Sequence, residues 1–243
     1  MKNMAASLNV LKSRLIRFDA AQKSRNRLTG LFLVFLSTLS FSQAKGAAIL
    51  FPNRALGWSK IPTIVVSGKE GDPRIQVVRE AVDFWNQQLS DIGSGFRLGP
   101  VTFTKETVPT EELAARSQAV LAKEGALKPT ASLMKIDGDL IVALSDGDFV
   151  SFTGPFLSDG RRLVGIRAYH LPPLTFPNVA RNVIAHELGH AIGLGYNDDP
   201  ANLMCGRPAS CRPDAFRSDV ERYFPLMEEE KQFLLKLYPP TWK

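Results

Sequence analysis

The stretch HELGHAIGLGY, residues 186–196, decides how this chain is interpreted. Its histidines, His186 and His190, lie four positions apart, so on a helix they share one face. Two histidines at this spacing, with Glu187 next to the first, are the pattern of a hydrolytic zinc site. In the longer form of the pattern, a third histidine ligand follows a glycine by three residues. Tyr196 occupies that position, so the sequence predicts a zinc site whose third ligand is changed.

The residues around the motif support a real site. Apolar residues flank both histidines, and Gly193 lies where the helix must end for the chain to turn back. Met204 follows Tyr196 by eight residues, and this spacing makes it a candidate platform under the zinc rather than an ordinary core residue. Gly189 inside the helix costs about 1 kcal/mol relative to alanine. That cost is explained either by another stretch of backbone packing closely there or by simple tolerance.

Apolar periodicity and turn residues predict the element order βαβαβββαα. The predicted strands cover 61–66, part of 96–108, 140–144, 149–152 and 163–166, and the predicted helices cover 73–92, 110–124, 177–193 and 225–238. This order favours an α+β fold with a mixed sheet under two helices.

Residues 182–205, NVIAHELGHAIGLGYNDDPANLMC, resemble the active-site region of the matrixin-type metzincins. In that family the motif reads HELGHxxGLxH, followed by a Ser/Asn-Asp stretch and the Met-turn. The final helix, with Glu228–Glu230, is similar to the family's C-terminal helix, and a weaker match covers most of 55–240. The resemblance implies an α+β, metzincin-like (zincin) domain: a mixed twisted β-sheet with two helices packed on it, the active-site helix and the C-terminal helix.

The resemblance also implies a zinc endopeptidase that hydrolyses peptide bonds of a protein or peptide substrate. His186 and His190 would be zinc ligands, Glu187 would activate the zinc-bound water, and Met204 would be the Met-turn residue. The strand at 163–166 resembles the edge strand with which extended substrates pair. The alternative is a catalytically impaired metzincin-like protein that binds peptide or metal, and a third interpretation is a secreted interaction domain that keeps the motif as a remnant.

Position 196 leaves four interpretations open. Tyr196 itself can bind zinc as a phenolate, since zinc lowers its ordinary pKa of about 10. Asp198 or Asp199 can supply a carboxylate if the turn takes a different course. His170, the remaining histidine, can swing in from the strand region. Finally, two histidines and water can hold zinc weakly, with degraded catalysis.

The N-terminal region has the pattern of a secretory signal peptide. Residues 28–41 are uncharged and mostly apolar, basic residues precede them, and small residues lead to Ala44. We therefore expect residues 1–44 to be a signal peptide with a long basic n-region, and 45–243 to be one metallopeptidase domain. A retained anchor is the alternative. The expected location is secreted or extracytoplasmic, either extracellular or periplasmic, with no stable membrane association after cleavage.

The net charge of +6 lies entirely in that leader. The leader holds seven Lys and Arg residues and one Asp, so the remainder carries as many acidic as basic residues. No argument for a nucleic-acid partner survives its removal. We expect a monomer.

Two cysteines, Cys205 and Cys211, lie in the part expected to be exported. Because an exported chain meets an oxidising compartment, a close pair predicts a disulfide, with two free thiols as the alternative.

Three Asp-Gly segments, 137–139, 146–148 and 159–160, offer oxygen ligands like those of calcium-binding matrixin loops. None has EF-hand spacing. Calcium is therefore a second candidate cofactor, although hairpin turns are the commoner explanation of such segments.

Overall fold

The computed structural model describes residues 57–125, 127–155, 160–206 and 216–243. The chain separates into two compact units, Met1–Ala44 and Lys45–Lys243. The first unit, which contains the predicted signal peptide, lies outside the described residues, so that prediction stays untested. Within the described ranges, no helix has both the length and the apolar character needed to cross a membrane.

The second unit is an α+β domain built on a mixed five-stranded sheet, as the element order predicts. Its strands and helices follow one another as β1 (Ile64–Ser67), α1 (Arg74–Asp91), β2 (Val101–Thr104), α2 (Thr110–Leu121), α3 (Ala131–Met134), β3 (Leu140–Leu144), β4 (Phe152–Pro155), β5 (Arg162–Ile166), α4 (Pro177–Ala191) and α5 (Glu228–Leu237). The sheet order is β2-β1-β3-β5-β4, in which only β4 runs antiparallel to its neighbour.

Both faces of the sheet are covered by helices. The central strands β1 and β3 are buried at every position, as expected for apolar parallel strands. Since successive side chains point to opposite faces, Ile64 and Val66 enter the larger core beneath α1 and α4. Val65 and Ile141 enter a smaller core that includes Leu113 of α2.

The helix that packs against α4 is α1, which is not one of the two helices that the resemblance places on the sheet. The parallel crossover from β1 to β2 carries α1 onto the face that α4 occupies. Trp85 of α1 is fully buried and donates its indole N–H to the Ala185 carbonyl of α4 at 2.8 Å. The C-terminal helix α5 packs into the larger core through Leu234, and Tyr238, which follows the helix, stacks its ring on Phe96 at 4.2 Å.

The expectation that the strand at 163–166 forms the edge of the sheet is wrong. This strand, β5, lies between β3 and β4, with Leu163 paired to both Ile141 and Gly154. The edge strand is β4, because the hairpin places its first strand outward while its second strand joins β3. Among the strands that the structure describes, β4 is therefore the edge strand on the side of α4, and β2 is the other edge strand.

Candidate active site

On helix α4, the imidazole rings of His186 and His190 face each other through their Nε2 atoms. The Nδ1 atom of His186 lies 2.7 Å from the Leu203 carbonyl oxygen, and Nδ1 of His190 lies 2.8 Å from the Leu194 carbonyl oxygen. Because a carbonyl oxygen only accepts hydrogen bonds, each Nδ1 carries a proton. In the neutral imidazoles, both Nε2 atoms then carry a lone pair. These two atoms lie 3.1 Å apart, so two acceptors converge on one point.

A metal cation suits this convergence. Two nitrogens bound to one zinc at about 2.05 Å and a tetrahedral angle lie about 3.3 Å apart. The observed separation of 3.1 Å between the Nε2 atoms is close to that value. His186 is 1% exposed, so its lone pair points away from bulk water. Two imidazole nitrogens, each on a ring whose other nitrogen is bound to a backbone carbonyl, suit zinc.

Glu187 lies on the side of α4 that faces the edge strand. It is 5% exposed, and the Thr153 hydroxyl of β4 lies 2.8 Å from its Oε2 atom. The same hydroxyl lies 2.8 Å from the Glu187 backbone carbonyl, so one proton serves two acceptors. Thr153 therefore orients the carboxylate that the motif predicts as the base. Nothing in the sequence around Thr153 points to this role, because the contact depends on the placement of β4.

The ring of Tyr196 packs against both imidazoles. Its centroid lies 4.3 Å from that of His190, edge to face, and 5.7 Å from that of His186. Gly206 makes room for this ring, because a Cβ atom at position 206 would overlap it. Asn197 holds the two segments together, donating its N–H to the Met204 carbonyl and accepting the N–H of Gly206, at 2.9 and 3.1 Å. Tyr196 is thus built into the wall of the histidine site.

The other third-ligand alternatives do not join the pair. Asp199 caps its own loop, accepting hydrogen bonds at 2.9 Å from the backbone two residues on and at 2.7 Å from Asn202. Asp198 is exposed, and His170 follows β5, where it lies near Asp146. Among the side chains that the structure describes, no cluster of three His, Cys, Asp or Glu could hold a metal.

Met204 packs directly beneath the helix segment between the two histidines. It is fully buried, and a Cβ atom on Gly189 would lie 2.5 Å from its Sδ atom and 2.8 Å from Trp85 Cζ2. Gly189 is therefore required by the close approach of two side chains, which is neither the backbone packing nor the simple tolerance that the sequence left open. The missing methyl lets the loop that carries Met204 lie close to α4.

The end of α4 is fixed by three distant parts of the chain. The Ala191 carbonyl accepts hydrogen bonds from the Trp58 indole, at 2.9 Å, and from the Arg162 guanidinium. The Tyr238 hydroxyl donates to the next carbonyl, that of Ile192, at 2.9 Å. These donors satisfy carbonyls that a helix end leaves open. They hold the helix end immediately after His190.

The predicted disulfide and calcium ligands are placed as follows. Cys205 is buried beside the site, and Cys211 lies outside the described residues, so their bond stays a prediction. Asp139 pairs with Lys60, Asp146 with Lys69 and Asp148 with Arg167. These carboxylates therefore face cationic side chains. The expectation of hairpin turns is wrong for the first two segments, because 137–139 leads from α3 into β3 and 146–148 connects β3 to β4, which are not neighbours in the sheet. Asp159 of the third segment lies outside the described residues.

No protein-family model matches the chain, and no curated protein matches it. Among solved structures, the chain is similar to archaemetzincin from Methanopyrus kandleri, with 20% sequence identity and a TM-score of 0.40. The similarity covers 74% of this chain and 96% of that chain. The functional conclusion therefore depends on the geometry of the site itself.

Proposed function

We propose that this chain is an exported, metzincin-type zinc metallopeptidase. His186 and His190 hold the zinc ion, Tyr196 occupies the position of the third ligand, and Glu187 is the catalytic base. The observation that carries the proposal is the 3.1 Å separation of the two Nε2 atoms. On each ring, the other nitrogen, Nδ1, donates its proton to a backbone carbonyl. Two lone pairs this close repel one another unless a cation or a proton lies between them.

The chain's own residues provide the rest of the chemistry. Zinc held at this site would lower the pKa of water and polarise a peptide carbonyl. Glu187 lies next to the first ligand on α4, and its carboxylate can accept a proton and transfer it to a leaving amine. Thr153 keeps that carboxylate turned toward the edge strand β4. A peptide lying along β4 in extended form would bring its carbonyl groups past Glu187.

A second candidate is a protein that binds metal or peptide without cleaving it. The observation in its favour is Tyr196, whose ring lies edge to face against His190 at the position where the motif calls for histidine. A tyrosine holds zinc less readily than histidine does, because its phenol must first lose its proton.

The test compares the full chain with four variants for zinc content and for cleavage of a generic peptide. Glu187→Ala should keep zinc and lose hydrolysis. Tyr196→Phe should weaken zinc binding if the phenolate is a ligand, and Tyr196→His should strengthen it. His170→Ala is the matched control, since His170 lies outside the pair and should change neither property. Hydrolysis by Glu187→Ala at the wild-type rate would refute the mechanism, and zinc bound without hydrolysis by the wild type would favour the second candidate.

A further inference from the structure

Two buried asparagines lie on the same face of α4 as the zinc-motif histidines. Asn178, Asn182, His186 and His190 follow one another at four-residue spacing. Asn178 is 4% exposed and Asn182 is fully buried. Burying an amide side chain is costly unless its donors and acceptor are all paired, so their hydrogen bonds identify what these residues do.

Both amides bind the backbone of one returning segment, residues 216–224. The side chain of Asn182 donates to the Arg222 carbonyl and accepts the Phe224 N–H, each at 2.8 Å. The side chain of Asn178 donates to the Phe216 carbonyl at 2.6 Å and accepts the Arg222 N–H at 2.9 Å. This segment belongs to no strand or helix, so side-chain amides supply the pairing that a sheet would otherwise give its backbone.

The pinned segment leads directly to His186. The residue after Phe224 is Pro225, whose carbonyl accepts the Leu203 N–H at 2.8 Å. The carbonyl of the same Leu203 faces Nδ1 of His186 at 2.7 Å. Three hydrogen bonds, joined by the backbone of residues 224–225 and of Leu203, therefore connect Asn182 to the imidazole one helical turn further along α4.

We infer that Asn182 is a positioning residue: through residues 222–225 and Leu203 it holds the His186 imidazole in the tautomer that presents Nε2 to the metal site. The inference rests on the proposed function, since the orientation matters only where His186 is a ligand. Partners that bind the far nitrogen of a ligand histidine fix both its tautomer and its ring orientation. In this chain, such a partner is a loop carbonyl, and the position of that loop depends on an amide of the same helix.

The first test reads the tautomer without any metal. Nitrogen-15 NMR of the histidine rings in the metal-free full chain, at a pH well above the ordinary imidazole pKa, distinguishes the Nδ1–H form from the Nε2–H form. Wild-type His186 should be held in the Nδ1–H form. Asn182→Ala should release it into a mixture in which the Nε2–H form, the commoner form of a free imidazole, is populated. The zinc dissociation constant of that variant should rise about 10- to 100-fold.

Asn86 provides a matched control. It is a helical asparagine of α1 whose side chain also pairs with the backbone at both ends, accepting the Leu98 N–H at 2.8 Å and donating to its carbonyl at 3.1 Å. Asn86→Ala removes a comparable amide that bonds Leu98 and not residues 222–225 or Leu203. It should lower thermal stability without changing the His186 tautomer or zinc affinity.

A second variant decides the matter if Asn182→Ala does not fold. Asn182→Asp keeps the shape and the acceptor for Phe224 but loses the donor to the Arg222 and Asn178 carbonyls, so it should shift the tautomer in the same direction. A wild-type tautomer in a folded Asn182 variant, or an equal change in Asn86→Ala, overturns the inference. A wild type that binds no zinc refutes the proposed function instead, and the tautomer comparison still decides the role of Asn182.

Discussion

Replacing Gly189 with alanine tests how closely the Met204 loop lies against α4. In an ordinary helix the change would stabilise by about 1 kcal/mol, because alanine is the better helix former. Here the new Cβ would lie 2.5 Å from Met204 Sδ and 2.8 Å from Trp85 Cζ2. Neither neighbour moves easily, since Met204 is fully buried and the Trp85 indole is bound to the Ala185 carbonyl. Overpacking of this kind costs about 1–3 kcal/mol.

The net expectation for Gly189→Ala is a loss of about 1 kcal/mol of unfolding free energy. For a domain of this size, that corresponds to a fall in melting temperature of about 2–4 °C, measured by circular dichroism or calorimetry. The control is Gly125→Ala, where a Cβ meets no atom within 4 Å. That variant should be neutral or slightly stabilising. If Gly189→Ala raises the melting temperature as the control does, the close packing of Met204 against α4 is refuted.

Three further predictions follow from the contacts of the site and of its supports. Gly206→Ala should lower the melting temperature because its Cβ would overlap the Tyr196 ring, and combining it with Tyr196→Ala should remove much of that extra cost; purely additive losses would contradict the contact. Thr153→Val should lower peptide hydrolysis about ten- to a hundredfold and leave zinc content unchanged, because it removes the hydrogen bond to the Glu187 carboxylate; an unchanged rate would exclude this role. Burial raises the pKa of Tyr238 to about 12, above its ordinary value of 10.0, so its stabilisation is complete below about pH 10 and is lost as the pH rises toward 12. Urea titrations should show this loss in the wild type and a smaller one in Tyr238→Phe, and equal losses would argue against it.

The parts of the fold that depend on local pattern were predictable. The apolar run of β3 was predicted with its bounds, Leu140–Leu144, and α4 begins at Pro177 as expected. The strand predicted at 149–152 instead begins at Phe152. Phe149 is buried in the smaller core without joining the sheet. Both phenylalanines satisfy an apolar pattern, but only pairing with β5 decides which one begins the strand.

In the candidate site, too, some contacts follow from local pattern and others depend on tertiary structure. The four-residue spacing of α4 places His186 and His190 on one face, because helix geometry alone fixes that relation. Tyr196 and Gly206 are ten positions apart, and nothing local indicates that one makes room for the other's ring. Thr153 reaches Glu187 only because the hairpin places β4 at the sheet edge beside α4.

By itself, then, the sequence determined that His186 and His190 share one face of a helix with Glu187 next to the first, since that follows from a helical repeat. Only the tertiary structure decided which ring nitrogen of each histidine faces the metal site. The proton on each Nδ1 is held by the carbonyl of Leu203 or Leu194, and these carbonyls come from the turn and loop that follow α4. The loop position of Leu203 depends in turn on the Pro225 carbonyl, more than twenty residues away. A spacing rule fixes the direction of a side chain, but the ring nitrogen that faces the metal is chosen by the hydrogen-bond partner of the other nitrogen.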